Sequence, residues 1–182
     1  MNILVINGHK YYPFAQGKLN SHIYNKIIEF CSPNNEINTT IIDNGYEIQQ
    51  EVEKYLWSDI IIFQSPVNWY YIPWSFKKYI DEVYKAGAFY TASDKYGHGG
   101  NFTQKKYMLS LTAASSIYEF ENTNGFFDFR DIDDIFIGFH KTHQYCGMQK
   151  LKTFIIYNVY HNLNIIQEEN RLKEHIEKYV LK

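Results

Sequence analysis

The stretch FQSPVNWYYIPWSFKKYIDEVYKAGAFY, residues 63–90, indicates the fold class more clearly than any other part of the chain. The apolar strand Ile60–Phe63 ends in the polar and aromatic loop Ser65–Tyr70, and a helix begins at Pro73, where a missing N–H is tolerated. Loops at the carboxyl ends of parallel strands are where open α/β sheets bind ligands. This loop offers flat rings together with exposed backbone, which favours a flat ligand that forms hydrogen bonds.

The same strand–loop–helix pattern repeats on both sides of this stretch. Short apolar runs predict strands, and apolar residues at helical spacing predict the helices between them. The predicted strands are Asn2–Ile6, Ile37–Ile42, Ser58–Gln64, Lys105–Leu111 and Leu151–Tyr157. The predicted helices are Leu19–Cys31, Tyr46–Leu56, Pro73–Tyr84, Ile132–Cys146, which Gly147 ends, and Ile165–Leu181. The alternation predicts one α/β domain over residues 1–182, a three-layer sandwich with a five-stranded parallel sheet in the order 2-1-3-4-5.

Composition narrows the functional class. The 18 basic and 20 acidic residues give a net charge of −2, which argues against binding to nucleic acid or to an anionic membrane surface. No apolar run approaches the ~20 residues that span a bilayer, so we expect no membrane insertion. The N-terminus runs straight into a predicted strand with no basic stretch before an apolar one, so we expect no signal peptide. The two cysteines, Cys31 and Cys146, are expected to be buried thiols. These features predict a cytoplasmic protein.

Three loops are predicted to meet at one edge of the sheet, and the first, His9–Asn20, has the chemistry of a phosphate site. It leads into a helix N-terminus, where unpaired backbone N–H groups and the helix dipole favour anions. Lys18 adds a positive charge, and Asn20 or Ser21 can cap the helix or donate a hydrogen bond. Neither GxxxxGK[ST] nor GxGxxG occurs, and an ordinary capped strand-to-helix loop fits the same residues.

The other two loops, Pro66–Tyr70 and Leu111–Ser116, suit the ring of a flavin. Small residues in the second of these let the backbone approach a ligand closely, and its hydroxyl and N–H groups can bond to a ring edge. Donors at the pyrimidine edge of a flavin stabilise the reduced ring, and its other end needs an apolar wall. Core packing is the alternative for the nearby aromatic residues. It is favoured for Trp74, in a helix, and less so for Trp69, in a loop.

The chain resembles the modulator of drug activity B family, bacterial NADPH:quinone oxidoreductases of flavodoxin-like fold that are related to animal quinone reductase. The resemblance lies in NILVINGHK, QGKLN, LWSDIIIFQSPVNWYYIPWSFKKYIDEVY, YTASDKYGHGG, QKKYMLSLT and FHKTHQYCGMQKLKTF, which follow the order and spacing of the family along almost the whole chain. It implies a bound FAD, a homodimer, and ping-pong reduction of quinones by two electrons from NADPH.

The resemblance also assigns candidate FAD contacts. The phosphate loop would comprise Gln16, Gly17, Lys18, Leu19, Asn20, Ser21, His22 and Ile23. The ring would be held by Pro66, Val67, Asn68 and Trp69, with Tyr96 against the cofactor, and by Thr112, Ala113, Ala114 and Ser115.

No side chain is required as an essential acid or base, because the flavin carries the chemistry. Tyr118 and His140 are weak candidates for protonating or positioning the substrate. His140 and His143 fit a partly buried helix face or a dimer contact equally well, and no third ligand suggests a metal. His175 is expected on the surface without a partner. Two alternatives stay open: a flavin-binding regulatory subunit of a potassium-efflux system, and an FMN-dependent azoreductase.

Overall fold

The computed structural model describes residues 1–120, 122–161 and 163–182. Its parallel sheet has the strand order β2-β1-β3-β4-β5, with β6 also paired to β4. The strands are β1 (Asn2–Asn7), β2 (Glu36–Ile41), β3 (Ile60–Pro66), β4 (Lys106–Thr112), β5 (Gln149–Lys150) and β6 (Phe154–Ile156). The predicted flavodoxin-like fold class and strand order are therefore confirmed.

Helices cover both faces of the sheet. The helices are α1 (Lys18–Cys31), α2 (Ile48–Trp57), α3 (Trp74–Val83), α4 (Ile132–Ile135), α5 (Ile137–Tyr145) and α6 (Ile165–Tyr179). One buried cluster joins α1 and α6 to the sheet, and a second joins α2, α3 and α5 to its other face. Within the described ranges, no helix is both long enough and apolar enough to cross a bilayer.

Alternate residues of each central strand point to opposite faces, and both sets are apolar. In β1, Ile3 and Val5 belong to the cluster under α1, whereas Leu4 and Ile6 belong to the cluster under α3. All four side chains are fully buried. Burial on both faces is typical of a parallel sheet covered by helices, and it explains why the strands read as continuous apolar runs.

The predicted helix Ile132–Cys146 is divided in two, whereas the predicted strand Leu151–Tyr157 is shortened to β6, since β5 lies before Leu151. Pairing with β4 is made by β5 and β6, and Thr153 between them donates its hydroxyl hydrogen to Asp133 Oδ1 at 2.5 Å. The helix is interrupted at Phe136, whose ψ of 19° departs from helical geometry. Gly147 follows α5 with a φ of 91°, as a left-handed terminal residue should.

Two side-chain predictions are wrong. Trp74 is 60% exposed, because the buried stripe of α3 runs through Phe76, Tyr79 and Ile80, and Trp74 precedes Phe76 by about half a helical turn. His175 is half-buried and has a partner: its Nε2–H donates to the Lys152 carbonyl oxygen at 2.9 Å.

Candidate functional site

The loops that follow β1, β3 and β4 meet at one edge of the sheet, as the strand order predicts. They enclose an open cleft with a volume of about 420 Å³. A fourth loop, which follows β6 and was not predicted to take part, contributes Val159 and Tyr160. The cleft is lined by His9, Lys10, Tyr12, Pro13, Phe14, Ala15, Gln16, Gly17, Lys18, Leu19, Asn20, Pro66, Val67, Asn68, Thr112, Ala114, Val159 and Tyr160.

The first loop is folded back on itself and anchored by His9. Tyr12 and Ala15 exchange backbone hydrogen bonds of 3.1 and 2.9 Å, and His9 Nε2–H donates to the Ala15 carbonyl oxygen at 3.1 Å. Burial lowers the pKa of His9 below its ordinary value, although the bond to Ala15 and the nearby Asp43 act in the opposite direction. A neutral His9 therefore holds the loop at neutral pH. The only signal for this contact in the sequence is the position of His9 at a strand end.

Gly17 is the residue that allows this loop to close on His9. Its φ of 70° is left-handed, and it precedes the first residue of α1. A Cβ at Gly17 would lie 2.3 Å from Cε1 of His9, closer than any real contact. Glycine is therefore required here both by conformation and by the close approach of the imidazole ring.

Two lysines border the cleft, and they differ in how freely their ammonium groups can bind a ligand. The Lys10 ammonium lies 2.5 Å from Asp43 Oδ1, and the Tyr11 N–H donates to Asp43 Oδ2 at 3.0 Å. Burial alone would raise the pKa of Asp43, but these donors outweigh it and lower the pKa. Lys18 is exposed and forms no ion pair with any of the described residues. Lys18 is thus the cation more readily offered to an anionic ligand.

The second loop contains a strained turn. Asn68 and Tyr71 exchange backbone hydrogen bonds of 2.8 and 3.0 Å around Trp69 and Tyr70, whose φ angles are 49° and 65°. Left-handed conformations at two residues other than glycine are costly and often occur at functional sites. The turn holds Trp69 outward, 89% exposed and outside the lining of the cleft.

The third loop is tied to β6 by backbone hydrogen bonds. Ala113 N–H donates to the Ile156 carbonyl oxygen at 2.8 Å, and Asn158 N–H donates to the Ser115 carbonyl oxygen at 3.0 Å. These bonds leave Thr112 and Ala114 facing the cleft, whereas the Ala113 side chain is buried in the core. The connection also brings the fourth loop alongside the third.

The structure does not bring every predicted contact to the cleft. Ile23 is fully buried in the core under α1, and His22 Nε2 lies 2.6 Å from Glu169 Oε1 of α6. Both are turned away because successive helical residues point about 100° apart. The predicted residues outside the lining are Ser21, His22, Ile23, Trp69, Tyr96, Ala113 and Ser115.

Tyr96 belongs to a different cavity, between α3, α5 and the loop that joins α3 to β4. That cavity has a volume of about 790 Å³. The Tyr96 ring is almost fully exposed, with its centroid 5.5 Å from that of Tyr145. Tyr90 and Lys141 also line this cavity.

His140 lies far from the cleft, so it is not placed to protonate a ligand there. Its Nδ1 is 2.9 Å from the Tyr107 hydroxyl, and its Nε2–H donates to Asp133 Oδ1 at 3.0 Å. Tyr107 stands at the amino end of β4, five residues or about 16 Å before Thr112. Tyr118 is half-exposed in a short 3₁₀ turn after β4, outside the lining of the cleft.

His143 is a core residue rather than a ligand. It is fully buried, its Nδ1–H donates to the Phe139 carbonyl oxygen at 2.7 Å, and the Tyr84 hydroxyl lies 2.8 Å from its Nε2. Burial lowers its pKa to about 3, so the ring is neutral. Among the described residues, no group of three His, Cys, Asp or Glu side chains is placed to hold a metal ion.

The chain is similar to known proteins along almost its whole length. Residues 1–181 match a family of flavodoxin-like fold. The chain is 34% identical to NADPH:quinone oxidoreductase MdaB of Haemophilus influenzae, over 98% of each chain.

Among solved structures, a Klebsiella pneumoniae protein provisionally named a quinone reductase aligns with a TM-score of 0.80 and 22% identity, over 98% of this chain and 84% of that one. General stress protein 14 of Treponema denticola, solved in complex with FMN, aligns with a TM-score of 0.68 and 14% identity, over 99% of this chain and 95% of that one. At these identities the structural likeness establishes the fold alone.

Proposed function

The chain belongs to the modulator of drug activity B family of flavodoxin-like proteins, and from this we propose that it is an NAD(P)H:quinone oxidoreductase that binds FAD in the four-loop cleft. The observation that carries the proposal is the convergence of the four loops on one cleft at the carboxyl edge of the sheet. The 34% identity over 98% of both chains supports the activity.

The donor set of the cleft fits a flavin nucleotide. Lys18 and the start of α1 would hold the phosphates, because both favour negative charge. Pro66–Asn68 and Thr112–Ala114 would hold the ring through backbone groups. Trp69 and Tyr96, which were predicted as contacts but are exposed outside the cleft, are proposed to act only where a second copy approaches.

Two exposed aromatic rings favour FAD over FMN. Phe14 is stacked on Tyr12 at 5.2 Å between ring centroids, and Tyr160 projects from the fourth loop. Phe14 and Tyr160 both line the cleft, and their rings are mostly exposed. Rings of this kind are suited to pack against an adenine, which FAD has and FMN lacks. The cleft is therefore proposed to accept the adenosine end of the cofactor as well as the flavin.

A bound flavin would supply hydride chemistry, by which NADPH would lose a hydride in one half-reaction and a quinone would gain that hydride and one proton from solvent in the next, in ping-pong order. The protein's part would be to hold the ring edge against the Ala114 N–H and the Thr112 hydroxyl, which face the cleft, and to exclude water with the aromatic loop residues. No residue of the cleft is assigned as an acid or base.

The active form is proposed to be a homodimer in the cytoplasm. Trp69, Tyr70, Trp74 and Phe126 form an exposed surface, called the aromatic face below, in which Tyr70 and Phe126 stack at 5.7 Å. Large exposed aromatic patches mark interaction sites, and continuity with the strained loop of the cleft favours a second copy as the partner. Burial raises the pKa of both thiols, Cys31 and Cys146, to about 12, as suits unreactive cysteines in a reducing compartment.

The test is to purify the protein, release any bound flavin, identify it by chromatography, and measure NADPH oxidation with menadione. We expect FAD and steady turnover of the quinone. Release of FMN with preferential reduction of an azo dye would favour an azoreductase. A flavoprotein that lacks turnover but co-purifies with a membrane transporter would favour a regulatory subunit. Absence of any flavin after reconstitution with FAD would contradict the proposal.

A further inference from the structure

A row of buried polar side chains crosses the sheet directly behind the cleft. Asn7 of β1 pairs with Gln64 of β3, and Gln64 pairs with Ser110 of β4. On the face under α1 they follow apolar positions of the same strands, Val5, Ile62 and Met108, which lie two residues earlier. The three side chains are 0–3% exposed, so each needs a hydrogen-bond partner.

Asn20, in the first turn of α1, completes the row. Its Nδ2 donates to Asn7 Oδ1 at 2.8 Å, and its Oδ1 accepts from Gln64 Nε2 at 3.0 Å. The Ser110 hydroxyl donates to Gln64 Oε1 at 2.6 Å. The row thus links β4, β3, α1 and β1 by an unbroken series of hydrogen bonds.

The bond at the Asn7 end of the row determines which group donates and which accepts in every other bond. The His9 backbone N–H, which can only donate, bonds to Asn7 Oδ1 at 3.0 Å. Asn7 therefore presents its oxygen, and Asn20 must present its amide hydrogens to that oxygen. The oxygen of Asn20 then faces Gln64, whose own oxygen is left for Ser110. A single reversed amide would leave two acceptors face to face in a buried site.

The row ends at the cleft on one side and in the core on the other. His9 and Asn20 line the cleft, whereas Gln64 and Ser110 have no exposed surface. The Gln64 carbonyl oxygen also accepts from Gly8 N–H at 2.8 Å, next to the first loop. A change at Gln64 or Ser110 therefore reaches a ligand only by displacing the loop residues.

We propose that Gln64 and Ser110 are positioning residues, which set the affinity of the cleft for the phosphate-bearing part of the flavin through Asn20, Asn7 and His9. This inference rests on the proposed function, because it takes the ligand to be a flavin nucleotide. It assigns an effect on flavin affinity to Gln64 and Ser110, which do not line the cleft.

The variants Gln64→Glu and Ser110→Ala test the proposal. Glu has nearly the shape of Gln, but its carboxylate has no N–H to give Asn20, so it leaves two acceptors face to face. Ser110→Ala removes only the last hydroxyl and serves if Gln64→Glu does not fold. Ser58→Ala is the matched control, since Ser58 is also fully buried and donates one hydrogen bond, to the Tyr55 carbonyl oxygen at 3.0 Å, near the opposite end of the sheet.

Flavin-free protein is titrated with FAD and with riboflavin, which has the same ring without phosphate, and the thermal midpoint of each variant is recorded. We expect Gln64→Glu to weaken FAD binding about tenfold and Ser110→Ala somewhat less, the size of effect that a buried hydrogen bond produces. Riboflavin affinity should stay within about twofold. Ser58→Ala should lower the thermal midpoint without changing either affinity.

Two results would overturn the proposal while leaving the function intact. One is unchanged FAD affinity in folded Ser110→Ala and Gln64→Glu. The other is an equal loss of FAD and riboflavin affinity, which would indicate general loosening of the fold. If the wild-type protein binds neither flavin, the proposed function fails and this inference fails with it.

Discussion

Gly17 and His9 illustrate how single residues shape the cleft. The sequence identified Gly17 as part of a phosphate loop but gave no partner for it, because the contact depends on how residues 9–17 fold back. Asn20 was expected to cap α1 or to donate to a ligand, whereas it bonds across the sheet to Asn7 and Gln64. Neither the path of the loop over residues 9–17 nor the partners of Asn20 can be derived from periodicity, which indicates only which faces of an element are apolar.

Replacing Gly17 with alanine tests the close approach. We expect Gly17→Ala to lower the free energy of unfolding by about 1–3 kcal/mol more than Gly87→Ala, because only the first puts a methyl group against His9. Gly87 is the matched control: its φ is 89°, but no atom of the residues that the structure describes lies within 4 Å of an added Cβ. Urea unfolding of both variants measures the difference. Equal losses would show that backbone conformation alone requires glycine at position 17.

The charge on Lys18 is expected to matter to the phosphates. Lys18→Glu places a negative charge at the start of α1 and should weaken FAD binding about tenfold at low ionic strength, with a smaller effect at high salt. Lys106→Glu, at the opposite end of the sheet, should leave affinity unchanged. Fluorescence titration at two salt concentrations measures both. Equal affinity of Lys18→Glu and the wild-type protein at low salt would remove Lys18 from the site.

Among the elements, the junction of α4 and α5 departs most from the prediction. Continuous helical spacing over Ile132–Cys146 gave no reason to expect an interruption at Phe136. Asp133 explains why the short α4 is held in place: its carboxylate accepts from His140, Thr153 and the Lys150 ammonium. These partners come from three different segments, and sequence pattern does not bring them together.

Asp133 should make stability depend on pH. Burial alone would raise its pKa, but the hydrogen bonds from His140, Lys150 and Thr153 outweigh burial and lower it well below the usual range. The ionised form is therefore favoured by folding, so its contribution is complete above the unfolded pKa of about 3.9 and is lost as pH falls toward the folded pKa.

We expect Asp133→Asn to lower the free energy of unfolding by about 1–3 kcal/mol at pH 7, and the gap to the wild-type protein to narrow below about pH 4. Urea unfolding across pH 3–7 measures this gap. Asp128→Asn is the control, because among the described residues the Asp128 side chain forms only an exposed ion pair, with Arg130, and the change should have little effect. A gap that stays constant with pH would mean that the charge of Asp133 is not what stabilises the junction.

At the scale of the molecule, strand order and layer arrangement were predictable because the alternation of apolar runs leaves few parallel topologies. That order by itself predicts that the loops after β1, β3 and β4 meet at one edge of the sheet. The fourth loop was missed because residues 158–160 carry no motif. The exposure of Trp74 was missed because helical position, rather than residue type, decides which side chains face the core.

The aromatic face predicts a change of assembly state. Trp74→Glu should convert a dimer to a monomer by placing a charge in that face, and glutamate in the first turn of α3 is favourable for the helix itself. Ile166→Glu is the matched control, since Ile166 is 68% exposed in the first turn of α6, in the opposite layer. Sedimentation velocity distinguishes the two. A wild-type monomer, or a dimer that survives Trp74→Glu, would contradict the predicted interface.

The most direct test of the cleft is a crystal structure of the protein grown with FAD. We expect the phosphates to lie beside Lys18 and the start of α1, and the ring to lie against Pro66–Asn68 and Thr112–Ala114. FAD bound only in the cavity between α3 and α5, or a cleft closed by Phe14 and Tyr160 in the presence of saturating FAD, would contradict the assignment of this edge of the sheet as the flavin site.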